Sequence, residues 1–169
     1  MDVLATRPSV EQVWTWLDEV PDPEIPVISI VDLGIVRAVE WDDDTLRVKI
    51  TPTYSGCPAT QVIAEDIKQA LRQRGIDSLR LETQLAPPWS TEMISAVGRA
   101  KLREYGIAPP QRKLAEGGIA ARLDRQAPVE CPRCGSTDTR RISQFGSTPC
   151  KALYQCQDCL EPFDYFKCL

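Results

Sequence analysis

Two cysteine pairs constrain this chain more than any other feature. Cys131-Pro132-Arg133-Cys134 and Cys156-Gln157-Asp158-Cys159 are separated by 21 residues. Two CxxC turns can each place two thiolates on one tetrahedral ion, at Zn–S distances of about 2.3 Å. Residues 137–145, 151–155 and 162–166 read as strands between and after the pairs. The spacing therefore predicts a small β zinc ribbon over 129–169, with Cys131, Cys134, Cys156 and Cys159 as ligands of a structural Zn(2+). A rubredoxin-like iron site would use the same four sulfurs. The second knuckle runs Cys-Gln-Asp-Cys-Leu and lacks the glycine such a site leads one to expect, which favours zinc. The ion stands in for a core too small to hold alone, and a closed four-thiolate site leaves no position for substrate.

The remaining composition narrows the chemistry. The 169 residues contain no histidine, which removes catalytic triads, Cys-His pairs and imidazole-based zinc hydrolysis. Seven cysteines are too few for a secreted disulfide scaffold. Residues 1–20 lack the basic and apolar regions of a signal peptide, and the most apolar stretch, 25–36, carries Asp32 and is too short to span a bilayer. A cytoplasmic protein with reduced thiols is expected, where paired cysteines hold metal more often than disulfides. The net charge of −4 and a pI near 5.0 argue against nucleic acid or an anionic membrane as partner.

Charge and cysteine divide the chain. Residues 1–50 hold 11 acids and 4 bases, whereas 111–169 hold 9 bases, 7 acids and six of the seven cysteines. The Ile107-Ala108-Pro109-Pro110 stop marks a boundary. The expected organisation is a domain over 1–110, a linker over 111–128 and the ribbon over 129–169. The first domain reads as α+β. Ser9 and Gln12 form a capping-box pattern ahead of a helix with Val10, Val13, Trp14 and Leu17 on one face. Strands follow at 35–41 and 46–50, joined by a hairpin at Asp42-Asp43-Asp44. A helix from Pro58 to about Arg74 buries Ile63, Ile67, Ala70 and Leu71 and stops at Gly75. A strand runs over 79–85, and Ser90 caps a last helix carrying Met93, Val97 and Ala100. Strand 46–50, helix 58–74 and strand 79–85 suit a right-handed βαβ crossover. The prediction is a small mixed β-sheet with helices on one face, followed by the ribbon.

Cys57 is the cysteine outside the ribbon. It follows Tyr54-Ser55-Gly56 and precedes Pro58, a good first helical residue. That makes Cys57 the expected N-cap, where amide groups and the helix dipole favour negative charge on a sulfur. It is readable as a buried structural thiol, as a nucleophile, or as a soft-metal ligand. A nucleophile needs a base that no motif supplies. Asp22-Pro23-Glu24-Ile25-Pro26 and Asp32-Leu33-Gly34 form a stiff acidic connector, readable as ordinary turn chemistry. Pro87-Pro88-Trp89 is a third stiff loop, expected near the Cys57 loop because parallel neighbours end at one sheet edge; Trp89 reads as core. Cys150 and Cys168 remain as buried thiols or spare ligands.

Three runs, 22–36, Thr51-Pro-Thr-Tyr-Ser-Gly-Cys57-Pro58 and Pro87-Pro-Trp89, resemble the SufT-like iron–sulfur assembly domain family. The ribbon, with 147–154 and 163–168, looks like that of the PaaD family of the bacterial phenylacetyl-CoA epoxidase system. The resemblance covers nearly the whole chain. It implies a noncatalytic accessory protein of aerobic phenylacetate degradation, working beside the epoxidase components and assisting iron–sulfur maturation, above all of the flavin-containing reductase. It implies that Cys57 contacts iron or a transient iron–sulfur cluster, and turns Asp22, Glu24 and Asp32 into candidate surface around it. A cluster wants four ligands and Cys57 supplies one. A second Cys57 in a homodimer, Cys150 and Cys168, or a client would supply the rest. Three rival readings are a docking subunit without cluster chemistry, a nucleic-acid-binding ribbon, and a cysteine-nucleophile enzyme.

Overall fold

The computed structural model describes residues 7–54, 56–110 and 128–167. The chain divides into two compact units, Met1–Trp89 and Ser90–Leu169.

The first unit opens with α1 (Val10–Asp18), held at its start by the expected reciprocal cap. Ser9 Oγ accepts from the Gln12 amide at 3.2 Å and Gln12 Oε1 accepts from the Ser9 amide at 2.9 Å. Strands β1 (Val36–Asp42), β2 (Thr45–Ile50) and β3 (Leu79–Thr83) form one sheet in that order, with β1 antiparallel to β2 and β2 parallel to β3. The parallel pair is bridged by α2 (Ala59–Arg72), so the βαβ arrangement is present. Gly75 takes φ +82°, a left-handed conformation that ends the helix and favours glycine. Leu46, Val48 and Ile50 are buried on one face of β2, with Val13 and Leu17 of α1 and Ile63, Ile67 and Leu71 of α2 also in the core. On the other face Arg47 and Lys49 pair with Glu40 at 3.5 and 3.2 Å, and Arg47 also reaches Glu82 at 3.3 Å. A sheet apolar on one side and charged on the other needs helices on one side only.

Three details depart from the sequence reading. A β-bulge between Val36 and Ala38 breaks strict alternation in β1, so Val36 and Val39 are both buried. Strand β3 ends at Thr83, leaving Leu85 68% exposed. Ser90 does not cap a long helix. A single 3₁₀ turn at Thr91–Met93 precedes α3 (Ala96–Tyr105), whose cap is Ser95, its Oγ accepting from the Gly98 amide at 2.8 Å. That later start changes the phase of the helix: Gly98 and Leu102 are buried and Val97 is 58% exposed.

The second unit contains α3 and a four-stranded sheet, β4 (Ile107–Ala108), β5 (Thr139–Ser143), β6 (Lys151–Cys156) and β7 (Pro162–Phe166), ordered β4-β7-β6-β5. The three ribbon strands are where the spacing places them. The fourth comes from the Ile-Ala-Pro-Pro stop, where Ile107 and Ala108 pair in parallel with Asp164 and Tyr165 of β7. Ala108 joins Val129, Cys131, Cys156 and Phe163 in one small core, with Tyr154 and Tyr165 packed against it. Residues 107–108 thus belong to the ribbon sheet, and the division into units falls after Trp89 rather than at 110. Of the expected linker, 111–127 lies outside the described residues.

Candidate metal centre and the cysteine loop

The four ribbon sulfurs lie within 4.8 Å of one another. Cys131 Sγ stands 3.8 Å from Cys159 Sγ, and Cys134 Sγ 3.5 Å from Cys156 Sγ. Four sulfurs at about 2.3 Å from one tetrahedral ion would be about 3.8 Å apart. The donor set therefore fits a tetrahedral thiolate site. Cys131 and Cys156 are buried and Cys134 and Cys159 exposed, so the cluster is half sunk in the small core.

Both knuckles are the same turn. The Cys131 amide donates to Ser136 O at 2.8 Å, and the Cys156 amide donates to Glu161 O at 3.0 Å, five residues on in each case. Gly135 has φ +75° and Leu160, at the matching position, φ +63°. Leu160 adopts the left-handed conformation that glycine would take freely, at a cost of about 1–2 kcal/mol. The missing glycine therefore marks no different geometry and does not separate zinc from iron. The Cys159 amide points at Cys156 Sγ, 3.5 Å away. That amide, against desolvation, holds the Cys156 thiol down at about 7. At Cys134 the Ser136 amide acts in the same sense, but the Cys156 sulfur, desolvation and the other two sulfurs push the thiol up to about 12. Without metal the four sulfurs compete for protons, and a cation binding there displaces them.

The first unit brings its three motif runs to one end of the sheet. Val36 at the start of β1 pairs with Ile50 at the end of β2, and Ile50 with Thr83 at the end of β3. The Thr51 amide donates to Ile35 O at 2.8 Å, tying the 51–57 loop to the connector. Trp89 Nε1 donates to Leu33 O at 2.9 Å, tying the Pro-Pro-Trp loop to the same connector. Trp89 is 5% exposed, so it is core as expected.

The connector is a packed loop. Ile25, Ile28, Ile30 and Leu33 are all buried. Asp22 is buried and its Oδ1 accepts from the Glu24 and Ile25 amides at 2.9 and 2.8 Å. Ser29 Oγ accepts from the Asp32 amide at 2.9 Å and donates to Asp18 Oδ1. Asp22 thus does the turn chemistry that its proline neighbours suggest; Asp32 is buried and Glu24 half-buried in the same loop. Sequence periodicity could not show that this acidic, proline-rich run is core, because it has neither period.

Cys57 is half-buried at the end of the 51–57 loop. Gly56 beside it has φ +84°. The Cys57 amide donates to Tyr54 O at 3.3 Å and its carbonyl accepts from the Thr60 amide at 3.2 Å. Pro58 occupies the cap position and α2 begins at Ala59, so Cys57 is not the N-cap expected from the sequence but lies one residue before it. Pro58 already has helical dihedrals, which keeps the cysteine against the first turn. Among the described residues, Cys57 belongs to no group of three or more metal-ligating side chains. Cys150 is buried, its Sγ 3.0 Å from Thr148 Oγ1, and stands outside the four-sulfur group; Cys168 lies outside the described residues.

Comparison with known proteins finds relatives of both parts of the chain. Residues 10–76 match the family described as "Iron-sulfur cluster assembly protein", and 116–167 match the "PaaD zinc beta ribbon domain". The chain is 46% identical over 171 aligned positions to an Escherichia coli protein provisionally named as a subunit of 1,2-phenylacetyl-CoA epoxidase, covering all of both chains. It is 32% identical to a Bacillus subtilis "Fe-S protein maturation auxiliary factor", over 54% of this chain and 91% of that protein. A domain of unknown function from Bacillus anthracis has the same fold over 55% of this chain and 90% of its own, at 29% identity and a TM-score of 0.52. With a full-length relative, both domain matches and a four-sulfur cluster inside the ribbon, the chain belongs to the PaaD family of the phenylacetyl-CoA epoxidase system.

Proposed function

We propose that this protein is a noncatalytic accessory component of the phenylacetyl-CoA epoxidase system that assists maturation or upkeep of an iron–sulfur cluster through Cys57. The ribbon holds zinc as a structural ion on Cys131, Cys134, Cys156 and Cys159. The client is the cluster of the system's reductase, reached in the cytoplasm; among the described residues no helix is long and apolar enough to cross a membrane. The observation that supports this reading is the position of Cys57. The residue is half-buried, at the sheet end where three loops meet, and it is not grouped with a full set of ligands among the described residues. A cluster is normally held by four protein ligands, so one sulfur grips it only until others complete the shell. The rest come from the client or from Cys57 of a second copy. Asp22, Glu24 and Asp32 shape the connector that supports this end, and Cys150 and Cys168 are secondary candidates for contact.

Anaerobic reconstitution with iron and sulfide tests the reading. Wild type should develop visible cluster absorbance that decays as apo-reductase gains activity. Cys57→Ala should keep its ribbon zinc and its fold and lose both signals. A Cys57→Ala protein that restores the reductase as well as wild type would leave only a docking role.

A further inference from the structure

The ribbon sheet has an open side. In the order β4-β7-β6-β5, strand β5 pairs only with β6 among the described residues, so one row of its backbone groups faces outward. Such an edge joins other strands unless it is guarded. Arg140 and Arg141 are exposed and consecutive, so they project to opposite faces of the sheet. Ile142, at the bulge, is 50% exposed, and Phe145 just beyond the strand is 61% exposed. Lys167 adds a third cation, its Nζ 4.4 Å from the Phe145 ring centroid and donating to Gln144 O at 2.9 Å.

Four carboxylates of this unit are engaged elsewhere. Glu161 pairs with Arg133 at 3.2 Å, Glu130 with Arg103 at 3.6 Å and Asp164 with Lys151 at 3.7 Å, while Asp158 accepts from Ser136. Among the described residues, none forms an ion pair with Arg140 or Arg141. The edge therefore carries unneutralised positive charge beside exposed apolar side chains.

We propose that the edge of β5 docks an extended acidic segment of a partner protein as an added strand. Two adjacent carboxylates of that segment meet Arg140 and Arg141 on the two faces, and an apolar residue covers Ile142 and Phe145. Strand addition takes its affinity from main-chain hydrogen bonds and its specificity from alternate side chains. The same arginines exclude a second copy's β5, which would set arginine against arginine. Nucleic acid suits the edge less well. Three cations release few counterions, and the chain as a whole is acidic. This surface does not involve Cys57, so its failure leaves the cluster role standing.

Fluorescence anisotropy on the full-length, zinc-loaded protein tests it. The probe is a labelled peptide, Thr-Val-Glu-Glu-Val-Thr-Val, at low salt. It should bind, and Arg140→Glu or Arg141→Glu should weaken it about tenfold or more, with ribbon zinc and circular dichroism unchanged. Phe145→Ser should weaken it less. A Lys-Lys version should not bind, and alternate N-methylation should abolish binding by removing the strand's donors. No binding, binding indifferent to the arginines, or equal binding of the N-methylated peptide would overturn the proposal. So would tighter binding of a single-stranded oligonucleotide through the same arginines.

Discussion

The ribbon and the Cys57 loop use the same element in opposite ways. In the ribbon, four sulfurs converge within 4.8 Å from two matching turns. At the end of the first sheet, one half-buried cysteine follows a glycine turn, with its backbone hydrogen-bonded to Tyr54 and Thr60. The comparison teaches that the two regions differ in how many sulfurs the fold brings together, which is what separates them on the proposed reading. A tetrahedral thiolate cage satisfies its ion and makes metal binding part of folding. A single thiolate would leave an ion's other positions open, so that on the proposed reading a cargo at Cys57 could be exchanged.

The largest way to break the contrast is to open the cage. Cys156→Ser removes a buried ligand, and structural zinc in comparable small domains contributes about 10–16 kcal/mol. The ribbon should lose its zinc and become protease-sensitive, read by metal analysis and limited proteolysis. Survival of a folded, metal-free ribbon would mean that its small aromatic core suffices. Acid should release the metal from wild type as protons return to the sulfurs, a sign that follows from the competition described above.

Next comes the support beneath Cys57. Trp89 is 5% exposed and its indole N–H is bonded to Leu33 O. Trp89→Ala should cost about 3–5 kcal/mol in urea unfolding. Trp89→Phe should recover most of the packing without the hydrogen bond. A near-silent Trp89→Ala would show that the loops are not held through the connector.

Asp22 sharpens the question of acids as ligands or as turn builders. Asp22→Ala leaves two amides without their side-chain acceptor and should cost about 1–2 kcal/mol. Asp22→Asn keeps an oxygen acceptor and should be nearly neutral in stability. If Asn also keeps wild-type iron uptake, the carboxylate is structural; if uptake falls while stability holds, its charge faces the cargo.

The smallest effect lies at the second knuckle. Leu160→Gly should relieve about 1–2 kcal/mol of left-handed backbone cost, against about 0.5–1 kcal/mol of added chain entropy. A slightly raised thermal midpoint with unchanged zinc affinity is expected. A loss of partner binding in that variant would give the exposed leucine a contact role.

Much of this molecule was legible before its structure. The capping box at Ser9, the parallel β2–β3 pair and the grouping of the four ribbon cysteines all follow from rules of short range or fixed spacing. The misplacements have physical reasons. Counting from Ser90 put Val97 on the buried face, but the chain makes a 3₁₀ turn first and Ser95 caps the helix, which rotates the face. Ile107 and Ala108 look like a terminus because Pro109 and Pro110 follow. Yet a two-residue strand needs no period, only a neighbour with free hydrogen-bonding groups, and β7 is that neighbour.

Residue spacing alone was enough to specify a ribbon that gathers four cysteines and a further cysteine just ahead of a helix, because turns depend on neighbours close in the chain. Tertiary structure decided the rest. It buried the irregular acidic connector, tied it to Trp89 and Thr51, and left β5 as an open edge. Those outcomes depend on hydrogen bonds and packing between segments far apart in sequence, for which no local pattern has to exist.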